Sequence, residues 1–519
     1  MLACVAYYAR KMLIARQAKT VWQVVCVIIA EGIYRVTDVI LDGSRARIMT
    51  RNGRLLIGII ALASVGLLFN RIGWGQSQFP PLSRSHFLQA VPQGFGDRQN
   101  SYAWSMEWFE GKLFVGTGRA VFCAQAEAYH LVQPAVPYPP PDLDIQCTPD
   151  PNDLPLQAEI WSWDPATNIW ARVYQSPNNV PIRNTNPQKF TARDFAFRGM
   201  GVFTEPDGTP ALYVSGCSPG LYPDVPPARV LRTTDGVNFT ALPQTPGTFL
   251  GNFKGSCYRG IQAYNNKLYL MSITPPVMLE SADPQLGDNS FRAVTRPGSS
   301  PWEMAAYNGF LYVSFTDITN GFSVSKTNAQ GTPPYAFTPL ITNGGFRSPY
   351  PNKAILSMAE FNGSLYLGGD GLRTGSPVTA QPAEMFRINA DDSWDLVVGQ
   401  SRSTPAGQKN SLSGLGPGFN WNLNAHMWRM EVFDGRLYVG TFDESTIFRS
   451  LPQIGPALQP EFGFDLWYTS DGVHFLPIDY QGFEDKFNIG ARSLKATPVG
   501  LFLGTANPYY GLQIWQGIH

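Results

Sequence analysis

One strand-turn-strand pattern recurs seven times along this chain, and a unit that cannot bury its own apolar faces must stack against its neighbours. The copies are WSMEWFEGKLFVGTG from Trp104, RGMGVFTEPDGTPALYVSG from Arg198, RGIQAYNNKLYLMS from Arg259, WEMAAYNGFLYVSF from Trp302, LSMAEFNGSLYLGG from Leu356, WRMEVFDGRLYVGT from Trp428 and RSLKATPVGLFLGT from Arg492. An apolar anchor holds the same place in each: Met106, Met200, Ile261, Met304, Met358, Met430 and Leu494. Alternating apolar residues on both sides of the turn have the period of β-strands. Glu110-Gly111, Asn308-Gly309, Asn362-Gly363 and Asp434-Gly435 are two-residue hairpin signals, since Asn, Asp and Gly tolerate the positive φ of tight turns.

A second pair of strands follows each copy. The third strand reads EIWSW from Glu159, RVLRT from Arg229, EMFRI from Glu384, DLWYT from Asp465 and LQIWQ from Leu512. The fourth opens on an aromatic residue: Trp170, Phe239, Phe291, Phe337, Trp394 or Phe475. Four antiparallel strands repeated in series predict an all-β, seven-bladed β-propeller with four-stranded blades. The seventh copy stops after its third strand, at His519. Its missing partner is predicted near Phe87, because HFLQAVPQGFGDRQN (86–100) matches HFLPIDYQGFEDKFN (474–488), the fourth strand and exit loop of the sixth unit, at eight of fifteen positions. An N-terminal strand completing the last blade closes the ring and removes the exposed sheet edge.

TTDGVNF (233–239) and TSDGVHF (469–475) resemble shortened Asp-boxes, and residues 84–519 resemble kelch and Asp-box propellers of bacterial secreted type. In those families the box Asp caps a turn, so the resemblance implies structural roles for Asp235 and Asp471. It implies a fold and no particular activity.

Residues 55–69, LLIGIIALASVGLLF, carry no charge, and Arg45, Arg47, Arg51 and Arg54 precede them. A positive segment followed by an apolar one predicts an export signal over 49–75, forming a hydrophobic helix, with small residues at Gly73 and Gly75 for a cut. The run is short beside the ~20 residues of a full span, so cleavage is favoured over an uncleaved anchor. Residues 1–48 are read as an extension ahead of the true start at Met49, or as a cytoplasmic segment. Residues 76–519 form the propeller, outside the membrane, secreted or held there by the uncleaved signal. Cys123, Cys147, Cys217 and Cys257 then lie in an oxidising compartment and are expected to pair 123–147 and 217–257, each pair within or beside one repeat. No CxxC or His-x-His spacing accompanies them, so no metal site is expected.

Lys+Arg and Asp+Glu both number 39, and a chain without a cationic run is a poor nucleic-acid binder. No P-loop, dinucleotide fingerprint or nucleophile elbow occurs, and no cofactor is expected. The chain is expected to be a monomer.

The working face is the rim that carries the long connections 119–157, 175–196, 398–425 and 442–463, because binding concentrates where long loops gather. Two positions before the anchor stand Arg198, Arg259 and Arg492 in three units and Trp104, Trp302 and Trp428 in three others. Asp317, Asp370 and Asp443 end the second strands of units four to six. Together they predict a half-cationic, half-acidic mouth suited to a glycan, a polyol, an anion or a protein ligand. The bland alternative has the arginines tie neighbouring blades through backbone carbonyls. A glycoside hydrolase or lyase of sialidase-like kind would need two of Asp317, Asp370, Asp443 and Glu303 to converge. A structural envelope protein needs no ligand at all.

Overall fold

The computed structural model describes residues 79–222, 225–371 and 381–519. The predicted extension 1–48, the signal and its hydrophobic helix at 49–75 lie outside the described residues. Among the described residues, no helix is long and apolar enough to cross a membrane.

The described chain is all-β. In the first repeat Asn100–Phe109 and Lys112–Arg119 pair antiparallel down to Phe109 opposite Lys112. The turn between them puts Glu110 at φ 48° and Gly111 at φ 74°. Two successive left-handed residues make the tight turn whose twist matches that of the strands. Asn308-Gly309, Asn362-Gly363 and Asp434-Gly435 repeat it. Glu159–Asp164 then pairs with the second strand, and Ile169–Gln175 with the third. Four-strand meanders of the same kind occupy 196–241, 258–293, 301–341, 354–398 and 424–479. The last stretch supplies three strands, Gly490–Thr497, Gly500–Ala506 and Ile514–Gly517. The fourth position beside Ile514–Gly517 is filled by Phe87–Gln89, with Phe87 opposite Gly517 and Gln89 opposite Trp515.

First strands lie side by side in chain order, and Gly490–Thr497 lies against Asn100–Phe109. Serine hydroxyls just before the anchor bind one first strand to the next. Ser105 Oγ donates to the Phe197 carbonyl (2.9 Å), Ser357 Oγ to Met427 (3.0 Å) and Ser493 Oγ to Ala103 (2.9 Å). The glycine of LYLGG serves this approach, because a Cβ on Gly368 would stand 2.5 Å from the Met427 carbonyl oxygen. Apolar cores fill the spaces between meanders. One joins Phe114 and Ile160 to Phe197 and Leu212, and another joins Phe87 and Trp515 to Phe464 and Leu466.

A polar knot recurs where a first strand begins. Asn100 Nδ2 donates to the Gly94 carbonyl (3.0 Å) and to Glu159 Oε2 (2.8 Å). Asn424 does the same to Gly418 and Asp465, and Asn488 to Gly482 and Gln513. The indole N–H of Trp161, Trp467 or Trp515, two residues beyond each acceptor, donates to the same side chain. Burial pushes Asp465 up to about 7 despite these donors. Asp235 and Asp471 cap their own turns, each accepting two backbone N–H bonds of 2.8 Å. Disulfides join Cys123 to Cys147 and Cys217 to Cys257.

Candidate functional site

All seven first strands are irregular at the same step, just before the anchor. Ala103 pairs with Thr117 and Ser105 with Gly116, so Trp104 is left over as a bulge. The same count leaves over Arg198, Trp302, Leu356, Trp428 and Arg492. In the third unit the extra residue falls at Arg259-Gly260, between the Tyr258 and Ile261 pairs. A bulge frees one residue from the ladder and re-aims its side chain. The residues two before the anchor therefore share a device, not merely a column in the repeat.

Their side chains meet. Trp104, Arg198, Arg259 and Arg492 line one cavity of about 160 Å³, together with Arg429 and Glu303. Arg259 is committed: its Nη2 lies 3.0 Å from Glu303 Oε2 and 3.2 Å from the Leu356 carbonyl oxygen. Among the described residues, no carboxylate forms an ion pair with Arg198, Arg429 or Arg492. Arg198 Nη1 reaches only Cys257 Sγ, at 3.9 Å. The Nε atoms of Arg198, Arg259 and Arg492 are buried without a hydrogen-bond partner. Four guanidiniums thus face one carboxylate. Burial first, then the neighbouring charge of Arg259, pulls the Arg198 guanidinium down to about 9. Burial and the like charges of Arg198, Arg259 and Arg429 pull Arg492 well below the usual arginine range. At neutral pH Arg198 remains a cation, held in a place that favours losing the charge unless an anion joins it.

The indoles stack on these cations. Arg198 Cζ stands 5.3 Å from the Trp104 ring centre, Arg259 4.6 Å from Trp302, and Arg492 5.0 Å from Trp428. Stacking on an aromatic face spreads a guanidinium charge without neutralising it. Trp104 lies across Gly118, where a Cβ would collide with its ring.

The acidic half of the expected mouth lies elsewhere, and Asp317, Asp370 and Asp443 are not among the cavity's lining residues. Asp317 caps its own loop, accepting from the Thr319 and Asn320 amides at 2.8 Å. Asp370 Oδ1 lies 2.7 Å from His426 Nδ1. Asp443 is fully buried, takes hydrogen bonds from Trp421 Nε1 (2.6 Å) and the Ser445 amide (2.7 Å), and is pushed well above the carboxylate range by burial. Asp317 lies beyond the end of its strand, Phe310–Phe315, while Asp370 and Asp443 end theirs opposite Ala354 and Asn424, away from the bulges that carry the arginines. Arg429 was the residue that strict alternation missed. It directly follows bulged Trp428, in the column that holds Glu303 two units earlier, so a bulge-aware reading would have counted both columns.

The long connection after Lys112–Arg119 holds the helix Val121–Val132 and the Cys123–Cys147 disulfide. It reaches across to the 442–463 connection, where Arg449 Nη2 bonds Asp142 Oδ2 (2.7 Å) and Asp144 Oδ2 (2.7 Å). Tyr510 donates to Asp144 Oδ1 at 2.6 Å. These contacts order a loop that length alone would leave mobile.

No protein-family model matches the chain, and no curated protein matches it. Among solved structures it is similar to PorZ, an essential surface component of the type-IX secretion system of Porphyromonas gingivalis, with 14% identity and a TM-score of 0.46 over 82% of this chain and 48% of that one. The chain therefore spans about half the length of PorZ. It is also similar to the β-propeller domain of the Trilobed protease from Pyrococcus furiosus, with 7% identity and a TM-score of 0.38 over 80% and 95% of the two chains. A puromycin-hydrolyzing peptidase of Mycobacterium tuberculosis gives 11% identity and a TM-score of 0.41 over 86% and 55%. Identities this low fix no activity for this chain.

Proposed function

We propose that residues 76–519 form a closed seven-bladed β-propeller, exported by the segment 49–75, that binds an anionic ligand in its arginine-lined cavity. Closure is supported by the pairing of Phe87–Gln89 with Ile514–Gly517 and by the Ser493-to-Ala103 hydrogen bond. Export is supported by the two disulfides, which persist in oxidising compartments. The observation that carries the ligand reading is the charge imbalance. Three buried or half-buried guanidiniums form no ion pair among the described residues, with Glu303 acting on Arg198 and Glu431 on Arg429 only from farther off, while a fourth guanidinium holds the only carboxylate that lines the cavity.

The recognised feature is an oxyanion, whether a carboxylate, phosphate or sulfate, free or carried on a glycan or protein. Each indole faces a guanidinium, which favours the acidic group over a neutral sugar ring as the element recognised. A glycosidase pair of carboxylates is not among the lining residues, and for that reason binding is placed ahead of catalysis. Serines supply blade-to-blade ties, and of the three bulge arginines Arg259 alone reaches a backbone carbonyl of another unit, at Leu356, which leaves Arg198 and Arg492 available.

Titration calorimetry with acetate, phosphate and sulfate at low ionic strength tests this. A charge-assisted hydrogen bond is worth roughly 1.5–3 kcal/mol, so Arg198→Gln and Arg492→Gln should each weaken binding about tenfold or more. Absence of oxyanion binding, or equal affinity in both variants and the parent, refutes the reading.

A further inference from the structure

Trp104 lines two spaces. In the arginine cavity, Arg198 and Arg492 stand 5.3 and 5.8 Å from its ring centre. It also lines a separate cleft of about 320 Å³, together with Val121, Ala124, Leu156, Phe195 and Leu221. Five of these six come from connections at the long-loop rim: two from the helix Val121–Val132, one from the chain leading into Glu159–Asp164, one from the connection 175–196, and one from the connection after Pro210–Cys217. The rings of Trp104 and Phe195 meet edge to face at 5.9 Å. The cleft presents no charged side chain among its lining residues.

First strands run from the long-loop rim toward the tight turns. The rim cleft therefore precedes the arginine cavity along the molecule, with one indole as the wall they share. The cleft is held in shape by the Cys123–Cys147 disulfide and by the Arg449 contacts to Asp142 and Asp144, so it exists before any ligand arrives. Pre-formed apolar walls beside a few convergent polar groups are the usual make-up of a small-molecule site.

From this juxtaposition we infer that the ligand is an amphipathic anion, its oxyanion head among Arg198, Arg429 and Arg492 and its apolar chain or ring passing the Trp104 edge into the cleft. The inference rests on the anion-binding reading and adds the apolar half. It also assigns Trp104 a role: its indole lies against the join between head and tail, and its fluorescence should report occupancy. Transfer of a chain from water into such a cleft is favourable in proportion to the area covered, whereas an alcohol of equal length gains nothing from the arginines.

The test compares decanoate, acetate and decanol, each below the concentration at which it self-associates, by calorimetry and tryptophan fluorescence. The variants are Ala124→Phe, which fills the cleft from a helix outside the arginine cavity, and Arg198→Gln. Decanoate should bind at least tenfold more tightly than acetate. Ala124→Phe should abolish that increment and leave acetate unchanged, and Arg198→Gln should weaken both carboxylates together. Acetate binding with no gain for decanoate overturns the amphipathic inference while leaving the anion site standing. Decanol binding as tightly as decanoate overturns it too, since cleft and cavity would then act separately. Failure of every carboxylate removes the anion reading itself, and the inference with it. Native-like circular dichroism of Ala124→Phe with a retained acetate affinity excludes misfolding as the source of a lost increment.

Discussion

Replacing Phe87 by alanine tests the N-terminal strand in a way that a deletion cannot. Phe87 is 1% exposed, whereas its neighbour Leu88 is 59% exposed on the same three-residue strand. The Phe87 ring lies 5.1 Å from that of Phe483, in the cluster that holds Leu82, Trp515 and Leu503. Gly517 sits directly opposite, and a Cβ there would press on the ring. Truncation of a buried phenylalanine leaves a cavity and costs about 3–5 kcal/mol. Loss of the exposed Leu88 side chain should change stability by no more than about 0.5 kcal/mol. Urea unfolding followed by tryptophan fluorescence compares the two, since Trp515 lies in the affected cluster. Phe87→Ala should lower the midpoint clearly at an unchanged slope, and Leu88→Ala should superimpose on the parent. Equal, small effects from both would refute the pairing of residue 87 with residue 517, and with it the closure of the seven units into a ring.

Four further outcomes are expected. Asp465 is pushed up to about 7 against an ordinary aspartate value near 3.8, so the folded state holds its proton more tightly than the unfolded one. Its contribution to stability is therefore fully present below about pH 4 and is lost as pH rises toward and through 7. Asp465→Asn keeps an acceptor for Asn424 and Trp467 and should remove that slope; parallel parent and variant denaturation midpoints from pH 4.5 to 8 would contradict it. Anion affinity should be weaker on the alkaline side, because burial and the Arg259 charge pull the Arg198 guanidinium down to about 9 and burial with the like charges around it pulls Arg492 well below the usual arginine range; calorimetry at a series of pH values reads this directly. Arg492→Leu copies Leu356, the residue at the same bulge in the fifth unit, and should stabilise the ligand-free protein by roughly 1–3 kcal/mol, the cost of a buried polar group left without a partner, while weakening anion binding; a destabilised variant would mean that Arg492 serves packing. Peptide mapping without reductant should recover Cys123 joined to Cys147, and replacing both by serine should cost roughly 2–4 kcal/mol with hydrogen exchange rising first around 121–147.

The strands and turns were legible because their signals are local and repeated. Apolar anchors recur, and Glu110-Gly111 and its three counterparts can hardly be anything but tight turns. The match of 86–100 to 474–488 placed Phe87 through similarity between distant segments, which is long-range information that a single strand does not carry. The same match also contained the polar knot without announcing it. Its Gly-Phe and Asn residues, at 94, 95 and 100 and again at 482, 483 and 488, are held together through acceptors some tens of residues away, at Glu159 and Gln513. The site was half legible. Arg198, Arg259, Arg492 and Trp104 stand in one column, and the column converges. Asp317, Asp370 and Asp443 stand in another that does not, because each is engaged locally: Asp317 by the amides of its own loop, Asp370 by His426, and Asp443 by Trp421 and Ser445. A bulge leaves no local mark, and Leu356, Trp302 and Arg492 occupy the same one. Arg429 was invisible for that reason.

That variety at one bulge is informative about selection between packing and binding. The anchor is apolar in all seven units, as repeated packing between blades requires. The bulged residue two places earlier is Trp, Arg or Leu, so the architecture accepts any bulky side chain there. Nothing in the fold then demands a cation at 198 or 492, and Leu356 demonstrates that an aliphatic residue fills the place without a buried charge. Removing a guanidinium from water without an ion-pair partner costs stability in proportion to its burial. Arg492 is 7% exposed and has three other guanidiniums as neighbours in the cavity. A chain that carries this cost at several of its seven equivalent positions, and pairs only one of its four cavity arginines internally, has kept positive charge where packing gives no return. An anion supplied from outside, as proposed, would be the partner that offsets it.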